Sequence, residues 1–160
     1  MIAGRNASNS GQSKSASGQI FVFSRSFLAT PELVRGLLVE MTERIGPHVS
    51  GDLIGRAELV LAELLNNVVQ HGSAGCPGQA PLVHLSVVAQ NDGLACSVSD
   101  DGGLLPHVCL SSKAPEPSSF PEGGFGWFLI GHLTQSLAYF RENDRNFVAF
   151  TVPMNAVDPG

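Results

Sequence analysis

The sequence is short of charge and above all of positive charge. Only 14% of its 160 residues are charged, and nine lysines and arginines stand against fourteen aspartates and glutamates, which gives a formal net charge of −5. It contains no basic run, so it lacks the electrostatic footprint of a duplex nucleic-acid binder and the polybasic patch that holds a protein on anionic lipid. We therefore expect neither nucleic acid nor a membrane surface as a partner.

Two further absences bear on location. No apolar run approaches the roughly 20 residues that a membrane-spanning helix needs. The N-terminal segment 1–18 is rich in Ser, Gly and Asn and lacks the apolar stretch of a secretory signal. The three cysteines, Cys76, Cys96 and Cys109, are widely spaced and odd in number, which fits neither a disulfide framework nor a zinc site. These features predict a cytoplasmic protein with unpaired, partly buried thiols.

What the sequence does contain is enough apolar material for one globular domain. Apolar residues make up 43% of the chain, and a chain of this length fits a single core. Residues 1–18 carry almost nothing apolar and are predicted to form a disordered tail. The domain is therefore predicted to span residues 19–155.

The hydrophobic periodicity and the turn residues predict the order strand, helix, helix, strand, strand, loop, helix, strand, strand. This order favours an α+β fold, a two-layer α/β sandwich with a mixed, mostly antiparallel sheet and the helices on one face. Thr30-Pro31-Glu32 begins the first helix and Gly46-Pro47 ends it. The other predicted spans are strands at 20–27, 82–89, 95–98, 137–141 and 147–152, a second helix that Asp52 or its neighbours cap and that continues to about His71, and a third helix at 124–136. The turns of the two predicted hairpins are residues 90–93 and Asn143-Asp144.

The second predicted helix carries a polar stripe with little charge. At about 100° per residue, the polar residues fall in one arc of roughly 140°: Glu63, Asn66, Asn67, Gln70 and His71. A carboxylate and an amide oxygen that project together can serve Mg²⁺, a hard cation that takes oxygen ligands. The alternative is an ordinary solvated helix surface.

Two glycine-containing segments add to this stripe. Asp100-Asp101-Gly102-Gly103 follows a strand, where a carboxylate can accept a hydrogen bond from an exocyclic amine and glycines admit a flat ligand. The segment is also simply a good turn. Gly123-Gly124-Phe125-Gly126 precedes an apolar helix, whose N-terminal N–H groups can bind a phosphate. The alternative there is a flexible hinge.

In this order the three segments resemble the Bergerat nucleotide-binding fold of the GHKL ATPase superfamily. Within it, the chain most resembles the anti-sigma-factor serine kinases of bacterial partner-switching systems, which contain histidine-kinase-like ATPase domains. The resemblance runs from about residue 19 to residue 153. The stretches that carry it are LVLAELLNNVVQHG (59–72), SVSDDGG (97–103) and EGGFGWFLIGHLTQSLAYF (122–140).

The resemblance implies a role for each motif residue. Asn67 matches the amide that coordinates Mg²⁺ on the phosphates of ATP, and Glu63 matches the acid that acts as general base. His71 matches the end of the helix beside the ribose or the lid. Asp100 matches the carboxylate that reads the adenine amine, with Gly102 beneath the base. The residues that match the phosphate side of the pocket are Gly124, Phe125 and Gly126.

The implied cofactors are ATP and Mg²⁺, and the implied activity is that of a protein serine/threonine kinase. Its substrate would be a small anti-sigma-factor antagonist, a sigma factor would be a second candidate partner, and the first strand would pair in a homodimer. Because the helix from Pro31 to Ile45 carries no histidine, autophosphorylation on histidine is not expected.

Two departures from the family keep other interpretations open. Leu104 stands where the family often has glycine, and the expected lid, roughly 104–122, is short, with Lys113 as its one cation. One alternative is therefore a non-catalytic, nucleotide-gated module that binds proteins. Another is an interaction domain that binds no nucleotide, in which the glycines only form turns.

Overall fold

In the part of the chain that the structure describes, the fold consists of five strands, three α-helices and a short 3-10 helix (Gly46–His48). The computed structural model describes residues 19–72, 78–103 and 125–155. The predicted tail, the whole of the expected lid and Gly124 lie outside these residues. The elements in chain order are β1 (Phe21–Leu28), α1 (Pro31–Ile45), α2 (Gly51–His71), β2 (Leu82–Gln90), β3 (Gly93–Asp100), α3 (Phe125–Leu133), β4 (Gln135–Glu142) and β5 (Arg145–Pro153).

The strands form one sheet in the order β1-β2-β3-β5-β4. All four pairings are antiparallel, and β1 and β4 are the edges. Alternate side chains of the inner strands are buried under the helices, which pack on one another and on one side of the sheet. The predicted α+β sandwich is confirmed, with an antiparallel sheet instead of a mixed one.

The helix starts follow capping chemistry. Thr30 Oγ1 accepts a hydrogen bond from the Leu33 N–H at 3.3 Å, and Pro31 occupies the first helical position of α1. Ser50 caps α2 in the same way, accepting from the Leu53 N–H at 3.1 Å. The sequence predicted that Asp52 or its neighbours cap this helix, and the capping residue is Ser50, whose backbone is extended.

The third helix is shorter than predicted. It ends at Leu133, and β4 begins at Gln135, whereas the sequence predicted a helix up to Ser136. The hydroxyl of Thr134 donates to the carbonyl of Ile130 at 2.6 Å and closes the last turn. Ser136 then takes a positive φ of 55°, which is incompatible with a continuing right-handed helix.

Both hairpin turns lie where the sequence predicted them. Asn143 and Asp144 join β4 to β5 with φ angles of 50° and 59°, the pair of positive angles that a two-residue type I′ turn requires. At the other hairpin, Gly93 begins β3 with a φ of 152°. A Cβ on Gly93 would lie 2.1 Å from the carbonyl oxygen of Val152, so only glycine fits.

The helices and the sheet enclose one apolar core. Most of its largest side chains come from α1, α2 and β2, and Ile130 of α3 is buried among them. Cys96 lies in this core, where burial raises the pKa of its thiol to about 12 and keeps it protonated at neutral pH. Within the described ranges, no helix is both long enough and apolar enough to cross a membrane.

Two glycine-to-alanine changes should shift stability in opposite directions. Gly93→Ala is expected to lower the free energy of unfolding by about 1–3 kcal/mol, because the new methyl group collides with the neighbouring strand and the φ angle is strained. Gly36→Ala in α1 has open space around it and is expected to raise the free energy of unfolding by about 1 kcal/mol. Urea denaturation measures both, and equal effects would contradict the description of Gly93.

Candidate functional site

The polar stripe of α2 is not uniformly solvated. Asn67 is only 7% exposed, whereas its neighbour Asn66 is exposed and Glu63 and His71 are half-buried. The amide nitrogen of Asn67 is buried and has no hydrogen-bond partner among the described residues. Leaving a buried polar group unpaired costs roughly 1–3 kcal/mol. The unpaired atom is a hydrogen-bond donor, so it can pair with an acceptor on a ligand, whereas a metal ion would bind the amide oxygen.

The C-terminal end of α2 meets the end of β3 through three glycines. The Gly103 N–H donates to the Gly72 carbonyl oxygen at 3.2 Å. A Cβ on Gly102 would lie 2.8 Å from the Gly72 Cα, so the two backbones touch where no side chain fits. Asn67 is five residues before Gly72, roughly 7.5 Å along the helix axis. The end of the helix that carries the polar stripe thus meets the end of the strand that carries Asp100.

Asp100 is the buried carboxylate at this junction. It is 2% exposed, and its Oδ1 accepts hydrogen bonds from the Gly102 N–H at 2.9 Å and from Asn146 Nδ2 at 3.0 Å. Burial raises the pKa of Asp100 above its ordinary value, and the charge of Asp101 adds to this. The two hydrogen bonds and the charge of Arg141 oppose the rise. A buried carboxylate with a raised pKa is typical of functional sites.

Sequence reasoning missed the group of residues behind Asp100. Asn146 of β5 is fully buried, and its Oδ1 accepts from the Tyr139 hydroxyl at 2.8 Å and from an Arg141 guanidinium N–H at 3.0 Å. Its Nδ2 also donates to the Gly103 carbonyl oxygen at 2.8 Å. The sequence signal that could have identified Asn146 is the alternation of side chains along a strand. Asn146 is two residues from Val148 and therefore lies on the same, buried face of β5. A polar residue at a core position of a strand indicates a specific hydrogen-bonded network.

The predicted phosphate side is described only in part. Phe125 and Gly126 lie in the first turn of α3, and Gly124 precedes the described helix. Helix α3 packs against α2, with Ile130 fully buried. This packing places α3 in the same layer as α2.

The described side chains could bind Mg²⁺ only together with a bound ligand that supplies further oxygen ligands. In the part of the chain that the structure describes, no group of three or more His, Cys, Asp or Glu could hold a metal ion. A buried amide such as Asn67 can supply one oxygen ligand, and Mg²⁺ at phosphotransfer sites takes most of its other ligands from phosphates and water. The residues present therefore fit a metal that arrives with a nucleotide.

Sequence comparison assigns the family. The chain belongs to the family described as histidine kinase-like ATPase domain, which matches residues 27–152. Membership in this family implies nucleotide binding. No curated protein sequence matches the chain.

One solved structure with a similar fold contains the RsbU and RsbW domains of Rv1364c from Mycobacterium tuberculosis. The two structures superpose with a TM-score of 0.56 and 14% sequence identity, over 82% of this chain and 32% of that one. The chain thus spans about a third of the length of that protein. At this identity the likeness shows the fold.

The charge on Asp100 should weaken the fold at neutral pH. Because burial raises its folded-state pKa above 3.8, the folded protein holds this proton more tightly than the unfolded chain does. The free energy of unfolding therefore falls as the pH rises from the unfolded pKa through the folded pKa. Asp100→Asn, whose amide oxygen can still accept both hydrogen bonds, should be more stable than the wild type at neutral pH and not in acid.

Urea denaturation at neutral and acidic pH measures this difference. Asp92→Asn, which removes an exposed carboxylate in the turn before β3, is the matched control and should change little at either pH. An Asp100→Asn protein that is less stable than the wild type at neutral pH would contradict the account of Asp100.

Proposed function

We propose that this domain binds Mg-ATP and acts as a protein serine/threonine kinase of the anti-sigma-factor type, with a small antagonist protein as its substrate. The observation that carries the proposal is the buried, unpaired amide of Asn67, on a helix whose end touches the strand end that bears Asp100. The family match supports the nucleotide, and the two polar groups would supply contacts for opposite ends of it.

Each site residue has a chemical task in this proposal. Asp100 would accept a hydrogen bond from the adenine amine, and Gly102 would leave room for the base. Asn67 would hold Mg²⁺, which neutralises phosphate charge as the γ-phosphoryl group leaves ATP. Glu63, one helical turn before Asn67 and on the same side of α2, would accept the proton of the attacking hydroxyl.

The remaining residues of the pocket would act on the ribose and the phosphates. His71 would lie beside the ribose or the lid. The backbone N–H groups of Gly124, Phe125 and Gly126 would face the phosphates, where the positive end of the α3 dipole favours negative charge.

The partners follow from the resemblance and the proposed chemistry. Phosphorylation of a Ser or Thr on the antagonist adds about two negative charges and would lower its affinity for this acidic domain. A sigma factor would then occupy the vacated surface. The similar structure supports this proposal in so far as it contains an RsbW domain. We also propose a cytoplasmic location, on the basis of the same resemblance and the same proposed chemistry.

A homodimer would use β1, an edge strand of the sheet with one unpaired side. Val22 and Leu28 on this strand are exposed apolar residues, which favours its burial by a second copy.

A second candidate function is a nucleotide-gated binding module without phosphotransfer. It is favoured by the sequence of the expected lid, where Leu104 replaces glycine and Lys113 is the one cation. Such a module would bind ATP and change its affinity for a protein partner, but it would not use Glu63 as a base.

Two adjacent asparagines offer a matched test of nucleotide binding. Asn67→Ala should weaken Mg-ATP binding about tenfold or more, because it removes the proposed metal ligand, and should affect ATP binding in EDTA much less. Asn66→Ala, at an exposed position one residue earlier, should leave both affinities unchanged. Calorimetric titration with and without Mg²⁺ measures them, and equal behaviour of the two variants would count against the role of Asn67.

Glu63→Gln separates the two candidate functions. If Glu63 is the general base, this variant should bind Mg-ATP like the wild type and transfer phosphate about 10²–10⁴ times more slowly. The assay follows transfer from labelled ATP to candidate antagonist proteins. A wild type that binds ATP but labels none of its protein partners would favour the binding module.

A further inference from the structure

The outer face of the sheet, which turns away from the helices, carries very little charge. Within the described strands its charged side chains are Glu142 and Arg145, which pair across β4 and β5 at one corner of the sheet. The other outward side chains are small, uncharged polar or apolar. The solvated face of an antiparallel sheet is normally polar, and depletion of charge is typical of the centre of a protein–protein interface. This face therefore has the composition of a surface that a protein partner covers.

A trough of small side chains crosses the outer face at right angles to the strands. The strand register places one small residue of each of the five strands in the same row: Ser24, Ser86, Ser97, Ala149 and Ala138. The next row forms a ridge that contains His84, Phe147 and Phe140, and the two phenylalanine rings stack with their centroids 4.8 Å apart. Residues of the trough and of the ridge line a groove of about 340 Å³.

Larger aliphatic side chains flank these two rows. Val22 and Val88 pair across β1 and β2 on the far side of the trough, and Leu28 and Leu82 pair beyond the ridge. Val22 is 60% exposed and Leu28 is 49% exposed. Strand side chains project out of the plane of the sheet. Pairing of two β1 edges would therefore leave these side chains in water, whereas a partner that lies flat on the outer face would cover them.

We propose that a second copy of this chain packs on the outer face, sheet against sheet, with the ridge of each copy in the trough of the other. This inference rests on the proposed homodimer and names its surface. A two-fold axis that runs parallel to the trough, midway between the trough and the ridge, produces this fit, because it exchanges the two rows without shifting them along the trough. The axis places Phe147 against Ala149 of the second copy. It likewise places Phe140 against Ala138 of the second copy.

The same axis matches the flanking aliphatic side chains. Val22 then lies against Leu28 of the second copy, and Val88 lies against Leu82 of the second copy. Five strands about 4.8 Å apart, with four rows of outward side chains about 7 Å apart, give a face of about 650 Å². Two such faces bury about 1,300 Å², which is within the lower part of the range for specific, stable interfaces. Large side chains opposite small ones also allow two sheets to pack densely with nearly aligned strands.

A charge in the trough tests the surface. Ala149→Glu places a carboxylate at a position that is exposed in the monomer, but the proposed dimer would bury two such charges without partners. The variant should raise the dissociation constant of the dimer about a hundredfold or more, measured by sedimentation velocity over a range of concentrations. Ala138→Glu, at an exposed position of the edge strand β4, should have the same effect. Leu59→Glu adds the same charge at an exposed position of α2 and should leave the dissociation constant unchanged.

A charge pair tests the register. Because Phe147 lies against Ala149 of the second copy, adding Phe147→Lys to Ala149→Glu should restore the dissociation constant to within about tenfold of the wild-type value. Thr151→Lys in the same Ala149→Glu background is the matched control. Phe147 and Thr151 are each two residues from Ala149 on β5, but the proposed axis places Thr151 against Arg145 of the second copy, so this lysine should not restore association.

The outcomes separate failure of this inference from failure of the proposed function. Dissociation by Ala149→Glu, with rescue by Phe147→Lys alone, supports the inference. A dimer that persists in Ala149→Glu overturns it in favour of pairing through β1, which lies three strands from β5, and equal rescue by the two lysines overturns the register. A wild type that stays monomeric at every concentration overturns both this inference and the proposed homodimer, whereas calorimetric titration with Mg-ATP still tests nucleotide binding independently.

Discussion

The site depends on the direct contact between the backbone at Gly72 and the backbone at Gly102. One glycine follows α2 and the other follows β3, and no Cβ fits between them. This contact joins a helix that carries Asn67 to a strand that ends in Asp100, although the two residues are far apart in sequence. Any larger residue at Gly102 would push the helix end away from the strand end. The arrangement of both polar groups around one region follows from that single close approach.

The same region contains two polar groups whose burial lowers the stability of the fold. Asp100 is buried although burial disfavours its charge, and the amide nitrogen of Asn67 is buried without a partner among the described residues. A core built only for stability would place apolar side chains there. The chain instead surrounds Asp100 with donors from Gly102 and Asn146 and with the charge of Arg141, which keep the buried carboxylate in place. Such compromises are typical of binding sites.

Local signals predicted much of this structure. Thr30 and Pro31 gave the start of α1, and Asn143-Asp144 gave the last hairpin, because caps and tight turns depend on a few adjacent residues. The helical period also placed Asn67 in the polar stripe of α2, although it did not show that Asn67 is buried and Asn66 is not. The assignment of nucleotide-site roles came from the resemblance.

What the sequence could not predict depends on strand register and on tertiary packing. Asn146 meets Asp100 because β5 pairs with β3 in one register, and these residues are 46 positions apart. The end of α3 at Leu133 follows from a local hydroxyl bond and from the early start of β4, neither of which its apolar composition indicates.

The central claim is that Asn67 and Asp100 hold opposite ends of one nucleotide. A crystal structure with Mg²⁺ and a non-hydrolysable ATP analogue tests it most directly. We expect the metal on the Asn67 amide oxygen and the adenine amine on Asp100, and a nucleotide that touches neither residue would rule this arrangement out.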